Sequence, residues 1–544
     1  MKLRRLVQRI SAISLPVALA ACGGGSDSSP PAAPTVTSLR VTGTAAVGAA
    51  MPGASVSVTC ASGSGTATAD ANGVYTVSIT NGALPCVLTA TSSDGLTQLH
   101  SVAPGTGHAD TTANITPLSE LLVARLAGTD PAAYVAAFTG TTPIAAADVS
   151  AAQAAVLQTL TASGVDVSAV SDIVGGSITA GSASGYDGAL DGLQAALVIA
   201  GTTLDELSTA VSTTSSAGAS TSTSTVATVL APAAADCPGL KSGTLRVLDF
   251  VNGGNGLVQV DATALTATMG GATYTLTKNA SCDYTLNDSA ATRVLVARSG
   301  IAVLLQGSGA SGVGGVAFPD QTLDVAALAG TYDRVQYGST IDAEAGDFGT
   351  TVFAADGSNG LSVNCPLGYG NCVEDTLPKG TLVANPAGGF DYMENGASQA
   401  RVFGFRNASG RNLLIAQAPD GTIVVLAAQN ALALPAVGKV SSFWQFTVNG
   451  AGLGAVSSDS STVTAVDATA KTAVRQFASD SHFDTLGFDS PFAGTRYRAT
   501  NACTTAAGGA LNCNGVVQLP YGGIVLSVSA VSTKHFMTVS IDKP

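Results

Sequence analysis

Three groups of side chains in this sequence have the residue types for chemistry. Asp480, His482 and Asp484 alternate, so in a strand they would share one face, and a histidine beside a carboxylate can serve as acid–base machinery. The sequence places no nucleophile beside them, so the expectation is an exposed strand edge. Asp342, Glu344 and Asp347 fall in one loop and carry the oxygens that calcium takes, though a solvated turn is the simpler expectation. Gly307-Ser308-Gly309-Ala310-Ser311-Gly312 has the spacing of a phosphate cradle, but it runs into Val313-Gly314-Gly315 and not into a helix whose N-terminus would hold the anion. Glu374 and Asp375 follow Cys372 and read as loop surface. Trp444 is the only tryptophan, and aromatics make up 5% of residues, so burial in a β core is expected and stacking platforms for polysaccharide are not. The sequence contains no G-x-S-x-G elbow, Gly-Lys-Ser/Thr phosphate loop, His-Glu-x-x-His helix or EF-hand loop. No catalytic residue, metal ligand or cofactor is assigned.

The cysteines carry more information. Apart from Cys22 there are eight, and they fall into sequence neighbours: Cys60 and Cys86, Cys237 and Cys282, Cys365 and Cys372, Cys503 and Cys513. Eight thiols allow about 105 connectivities, and pairing of neighbours is the simplest. An even number of this kind reads as structural disulfides formed in an oxidising compartment. None of His100, His108, His482 and His535 lies at metal-ligand spacing from a cysteine pair.

Cys22 stands in a different context. Lys2, Arg4, Arg5 and Arg9 form a basic leader, and Ile10 to Leu19 is an apolar run too short to span a bilayer, so residues 1–21 have the make-up of a signal peptide. Leu19-Ala20-Ala21-Cys22 resembles the lipobox of bacterial lipoproteins. The resemblance implies cleavage before Cys22, lipidation of its thiol and acylation of its amine, palmitate-type chains giving a stable anchor. Gly23 in place of aspartate implies delivery to the outer membrane of a Gram-negative cell, with the chain facing the periplasm or the surface. Residues 22–35, rich in Gly, Ser and Pro, have the composition of a tether.

A chain of 544 residues predicts about three or four domains. Charged residues make up only 11%, and without residues 1–21 the charge is −17, from 19 basic and 36 acidic side chains. That balance argues against nucleic acid as a partner and against a second, electrostatic hold on anionic lipid. Residues 36–115 alternate polar and apolar residues around turns such as Asp70-Ala71-Asn72-Gly73. With Val41-Thr42-Gly43, Gly53 to Val58 and Thr68 to Tyr75, this stretch resembles the carboxypeptidase regulatory-like domain. The resemblance implies a prealbumin-like β-sandwich, with Tyr75 in its core, acting as a spacer or interaction module without catalytic residues.

Residues 116–211 change to helical periodicity, punctuated by Thr116-Pro117, Asp130-Pro131, Gly140, Gly164 and Gly201, and predict four or five short packing helices. Residues 212–236, rich in Ser, Thr and Ala, read as a second linker. From 237 to 544 turn residues recur every 8 to 12 positions, as in sandwiches and barrels, with irregular repeats at about 237–325, 326–438 and 439–544. Gly330-Thr331-Tyr332 resembles the opening of lipocalin-like barrels at the level of fold alone.

The predicted fold class is therefore multidomain and mainly β: a sandwich, a small α-helical segment and a β-rich barrel or sandwich half. The order of parts resembles large envelope lipoproteins of Gram-negative proteobacteria that carry no assigned activity. The expected function is a lipid-anchored envelope module, structural or binding a protein or glycan, held to the membrane by its N-terminal lipid. The alternative is a tethered hydrolase whose site is assembled from distant residues of the β-rich half.

Overall fold

The computed structural model describes residues 37–213, 219–250, 254–338, 347–375, 380–407 and 410–544; Cys22, the leader and the tether lie outside them. The chain is multidomain and mainly β, with a few helices in its first half.

Two sheets form the first body. One runs Val74–Thr80, Ser38–Thr44, Thr111–Thr112, and the other Ser64–Thr68, Ser55–Ser62, Ala83–Thr91, Gln98–Gly107. Strict alternation buries Val56, Val58 and Cys60 on one strand and Tyr75, Val77 and Ile79 on another, while their neighbours face solvent. In the turn between them Asp70 accepts hydrogen bonds from the amides of Asn72 at 2.8 Å and Val74 at 2.9 Å. Gly73 supplies the left-handed residue at φ 77°. Tyr75 is 2% exposed and its hydroxyl donates to the Ala113 carbonyl.

Helices Pro117–Ala127, Pro131–Ala136, Ala146–Ala162, Gly185–Ala200, Leu204–Thr213 and Ala219–Leu230 follow. Thr116 caps the first of them and Gly128, at φ 64°, ends it. A buried joint ties that helix to the sandwich: Glu120 accepts from the His100 amide and lies 3.0 Å from His100 Nδ1, and Ser119 Oγ donates to the His100 carbonyl at 2.7 Å. Sandwich and helices share one continuous core from Leu39 to Leu230, so the helices are not a free-standing bundle. The expected linker at 212–236 is replaced in part by the helix Ala219–Leu230, which buries Val226, Val229 and Leu230 against that core. Packing of one apolar face overrides the weak helix propensity of Ser and Thr.

Three β bodies make up the second half. The first is a closed barrel of eight antiparallel strands, Gly243–Asp249, Asn255–Asp261, Thr266–Met269, Ala272–Ala280, Asp283–Leu286, Arg293–Val296, Ala302–Gln306 and Val313–Pro319. The second is a nine-stranded sheet, in the order Val373–Asp375, Asn359–Asn364, Phe348–Phe353, Gly330–Tyr337, Ile423–Ala428, Asn412–Gln417, Ala397–Arg406, Phe390–Glu394, Thr381–Ala384. The third runs Thr472–Phe477, Ser457–Asp467, Val440–Asn449, Phe536–Asp542, Ile524–Ser529, Val516–Tyr521, Arg496–Arg498, Phe483–Phe488. Pairing of Thr472–Phe477 with Phe483–Phe488 closes this last sheet into a second barrel. Closure removes the sheet edges that would otherwise be free to pair with other chains.

Disulfides join Cys60 to Cys86, Cys237 to Cys282, Cys365 to Cys372 and Cys503 to Cys513. Among the described residues no helix is long and apolar enough to cross a membrane.

Candidate ligand cavity at the junction of three β bodies

Where the two barrels meet the nine-stranded sheet, they enclose a cavity of about 910 Å³. Every wall arises from the same device, a strand that presents its i, i+2 pair of apolar residues to the junction. The first barrel contributes Ile301, Val303 and Val316 from its outer face; the sheet contributes Leu413 with Ile415 and Ile423 with Val425. The second barrel turns outward Phe446 with Val448, Leu519 with Tyr521, and Met537 with Val539. These residues belong to one core cluster that spans all three bodies.

One end of the cavity is polar. Asp347, buried at 7% exposure, lies 3.2 Å from Nδ1 of His535 on the opposite body. Burial raises the Asp347 pKa, and His535 and Arg334 partly offset that rise by favouring the charged carboxylate. A second polar fixture holds the wall in place: the Tyr521 hydroxyl donates to the Arg411 carbonyl at 2.7 Å, and Arg411 Nη1 donates to the Pro520 carbonyl at 2.7 Å. The result is a mainly apolar chamber with hydrogen-bonding groups at one rim, the build of a small-molecule site.

The glycine-rich stretch 307–312 is part of this wall. Gly309 and Leu453 exchange backbone hydrogen bonds of 2.6 and 3.0 Å, which staple the first barrel to the hairpin end of the second. A Cβ on Gly312 would lie 2.7 Å from the Leu453 side chain, and one on Gly452 would lie 2.2 Å from the Gly309 carbonyl oxygen. The glycines thus serve a close backbone approach and not a phosphate.

The other sequence candidates are placed as follows. Asp342 and Glu344 lie outside the described residues, and Asp347 is not the solvated turn residue expected of it but the buried rim of the cavity. Asp480 and His482 precede the strand Phe483–Phe488, with Ser481 between them at φ 60°, so of the three only Asp484 lies in it. His482 pairs through Nδ1 with exposed Asp480 and stacks on Phe477. Asp484 is not on an exposed edge: it is 1% exposed and takes a bidentate pair from Arg475 at 3.0 and 2.7 Å plus Arg498 Nη1 at 3.1 Å. Burial alone would raise its pKa; the two guanidinium groups overcome that and hold it below the usual carboxylate range. Among the described residues no serine or threonine hydroxyl is hydrogen-bonded to His482, so the trio is not assembled for hydrolysis. Glu374 and Asp375 lie in the edge strand Val373–Asp375, and Trp444 is buried at 5% exposure. Among the described residues no three His, Cys, Asp or Glu side chains are grouped to hold a metal ion.

No protein-family model matches the chain, and no curated protein matches it. Among solved structures, the isotype 1 transferrin binding protein B from serogroup B Neisseria meningitidis aligns at 10% identity over 53% of this chain and 58% of that one, with a TM-score of 0.18. A likeness at that score lies below a shared fold.

Proposed function

We propose that this chain is a lipid-anchored protein of the bacterial cell envelope that binds an elongated apolar ligand in the cavity between its three C-terminal β bodies. The observation that carries the reading is the cavity itself: about 910 Å³, walled by apolar pairs from three separate bodies, with Asp347 and His535 at one end. A void of that size lined with apolar side chains forfeits packing, and a bound ligand restores it. A ligand with a hydrocarbon body and an uncharged polar end fits both features. Residues 1–21 act in this reading as signal peptide, Cys22 as the acylated anchor and 22–35 as tether. The sandwich, by its likeness to carboxypeptidase regulatory-like domains, holds the binding half away from the outer membrane.

The test uses the purified full chain and a neutral apolar fluorophore, N-phenyl-1-naphthylamine, displaced by hexadecanol. Saturable fluorescence enhancement and displacement are expected, with binding at least tenfold weaker in Val448→Trp, whose indole would project into the chamber and obstruct it. No saturable enhancement, or unchanged binding by a folded Val448→Trp, overturns the reading. For the anchor, a fatty-acid analogue fed to cells should label the wild type and not Cys22→Ala; equal labelling refutes it.

A further inference from the structure

The second barrel holds another chamber, inside its wall, of about 840 Å³. It is separate from the junction cavity, because the strands Val440–Asn449, Val516–Tyr521 and Phe536–Asp542 turn alternate residues to the two spaces. The inward set mixes the two kinds: Gln445, Thr447, Ser461, Gln518, Thr538 and Ser540 face the lumen together with apolar Val463, Phe488 and Val516. Some of these satisfy one another, Thr447 with Thr538 at 2.8 Å and Gln518 Nε2 to Ser527 at 3.1 Å, but Gln518 Oε1 is buried without a partner.

The charges do not balance. Arg475 and Arg498 share a single carboxylate, Asp484. Arg496 is a third arginine on the same wall; its Nε is buried with no hydrogen-bond partner, and among the described residues no carboxylate lies within ion-pair distance of it. Arg298 and Lys439 add positive charge to the lining. Against these stand Asp542, near enough to influence Arg496 without pairing to it, and Asp459, already engaged by Ser479 and the Ser460 amide. A positive excess inside a barrel is notable in a chain of net charge −13. A guanidinium with a buried, unpartnered Nε and no paired carboxylate is costly, and an anion that takes its planar fork of donors removes that cost. Phe443 and Phe477 supply apolar faces beside the polar ring.

We infer that the lumen of the C-terminal barrel binds a small hydroxyl-rich anion, a sugar bearing a carboxylate or a phosphate, with Arg496 as its principal charge contact. The serine, threonine and glutamine ring meets the sugar hydroxyls, and the anionic group meets the guanidinium.

The experiment is a thermal-shift and calorimetric titration of the full chain with glucuronate, glucose 6-phosphate and glucose. Saturable binding of glucuronate, of glucose 6-phosphate or of both, with glucose at least tenfold weaker, supports the inference and says which anion the site takes. Absence of saturable binding by both anions, or equal binding of glucose, overturns it. Arg496→Gln should weaken the preferred anion at least tenfold while Arg496→Lys retains part of the affinity; a folded Arg496→Gln that binds as the wild type overturns the assignment. Should Arg496→Gln fail to fold, the three wild-type titrations decide.

Discussion

The two barrels each close through eight strands and differ in what fills them. In the first, the inward residues around the ring include Val258, Leu276, Tyr284, Leu286 and Val294, a dry apolar interior, and its exposed strands turn Gln259, Thr273, Thr275 and Thr277 to solvent. In the second, the apolar residues of four strands face outward, against the sheet and the first barrel, and the arginines and hydroxyls face in beside a small apolar cluster of Val463, Ala473, Leu486 and Phe488. The difference is one of register, since a shift of one residue exchanges the faces of a strand. It follows that the first barrel is stabilised mostly by its own contents, whereas the second has only a small apolar cluster inside, leans on its neighbours, and gives much of its interior to polar groups.

The largest effect expected from that contrast is at the buried carboxylates. Asp484→Ala leaves Arg475 and Arg498 without their counter-charge in the second barrel, and a loss of about 3–5 kcal/mol is expected. In the first barrel Asp283 pairs with Arg293, whose side chain is 36% exposed, so Asp283→Ala should cost about 1–2 kcal/mol. Amide exchange of Phe483–Phe488 and of Asp283–Leu286, followed separately by mass spectrometry, measures both; equal losses would break the contrast.

A second carboxylate works with the opposite sign. Asp333, beneath the second barrel and 0% exposed, accepts from Gln429 at 2.9 Å through one oxygen and has no partner for the other. Burial pushes its pKa up to about 7, against opposing pulls from Gln429 and Arg411. A carboxyl raised on folding contributes stability that is complete below its unfolded pKa near 4 and lost as pH rises through about 7. Asp333→Asn should therefore flatten the fall in stability between pH 4 and 7 and gain as much as about 4 kcal/mol at pH 8. Denaturant midpoints across that range, wild type against variant, check the sign; a variant less stable at pH 8 contradicts it.

Much of this architecture is legible in the sequence, and the reasons for the remainder are specific. Alternation announced the β-rich half, and the caps at Thr116 and Gly128 announced a helix, because both are local signals. The helix Ala219–Leu230 was hidden because its stability comes from Val226, Val229 and Leu230 meeting a distant core. Of Asp480, His482 and Asp484, expected on an exposed strand edge, Asp484 is buried, because Arg475 and Arg498 reach it from the two flanking strands and no local pattern announces that. Neither chamber was visible. Arg475, Arg496 and Arg498 come from two strands that flank Phe483–Phe488, and the lumen they face exists only once the other strands complete the ring; the junction walls come from bodies more than a hundred residues apart. The one local trace of the junction was the glycine-rich stretch 307–312, whose residue types demanded a close approach without saying to what.

One matched pair of substitutions tests the interiors directly, and its second member carries the smallest effect expected. Leu276 is 6% exposed, inside the first barrel, and pairs in register with Leu286. Leu276→Ala removes methylenes from a packed space and leaves a cavity, at an expected cost of about 2–5 kcal/mol. Ser540 occupies the corresponding inward face of the second barrel, half-buried, with no hydrogen bond from its side chain among the described residues. Ser540→Ala should change stability by less than about 0.5 kcal/mol, because the lumen around it is not close-packed and no buried partner is orphaned. The same substitution removes one hydroxyl from the ring that would meet a bound sugar, so its effect should appear in the affinity for the anion and not in the unfolding midpoint. A large stability loss at Ser540 would mean that the second barrel is held from within like the first, and the division between a packed barrel and a binding barrel would fall.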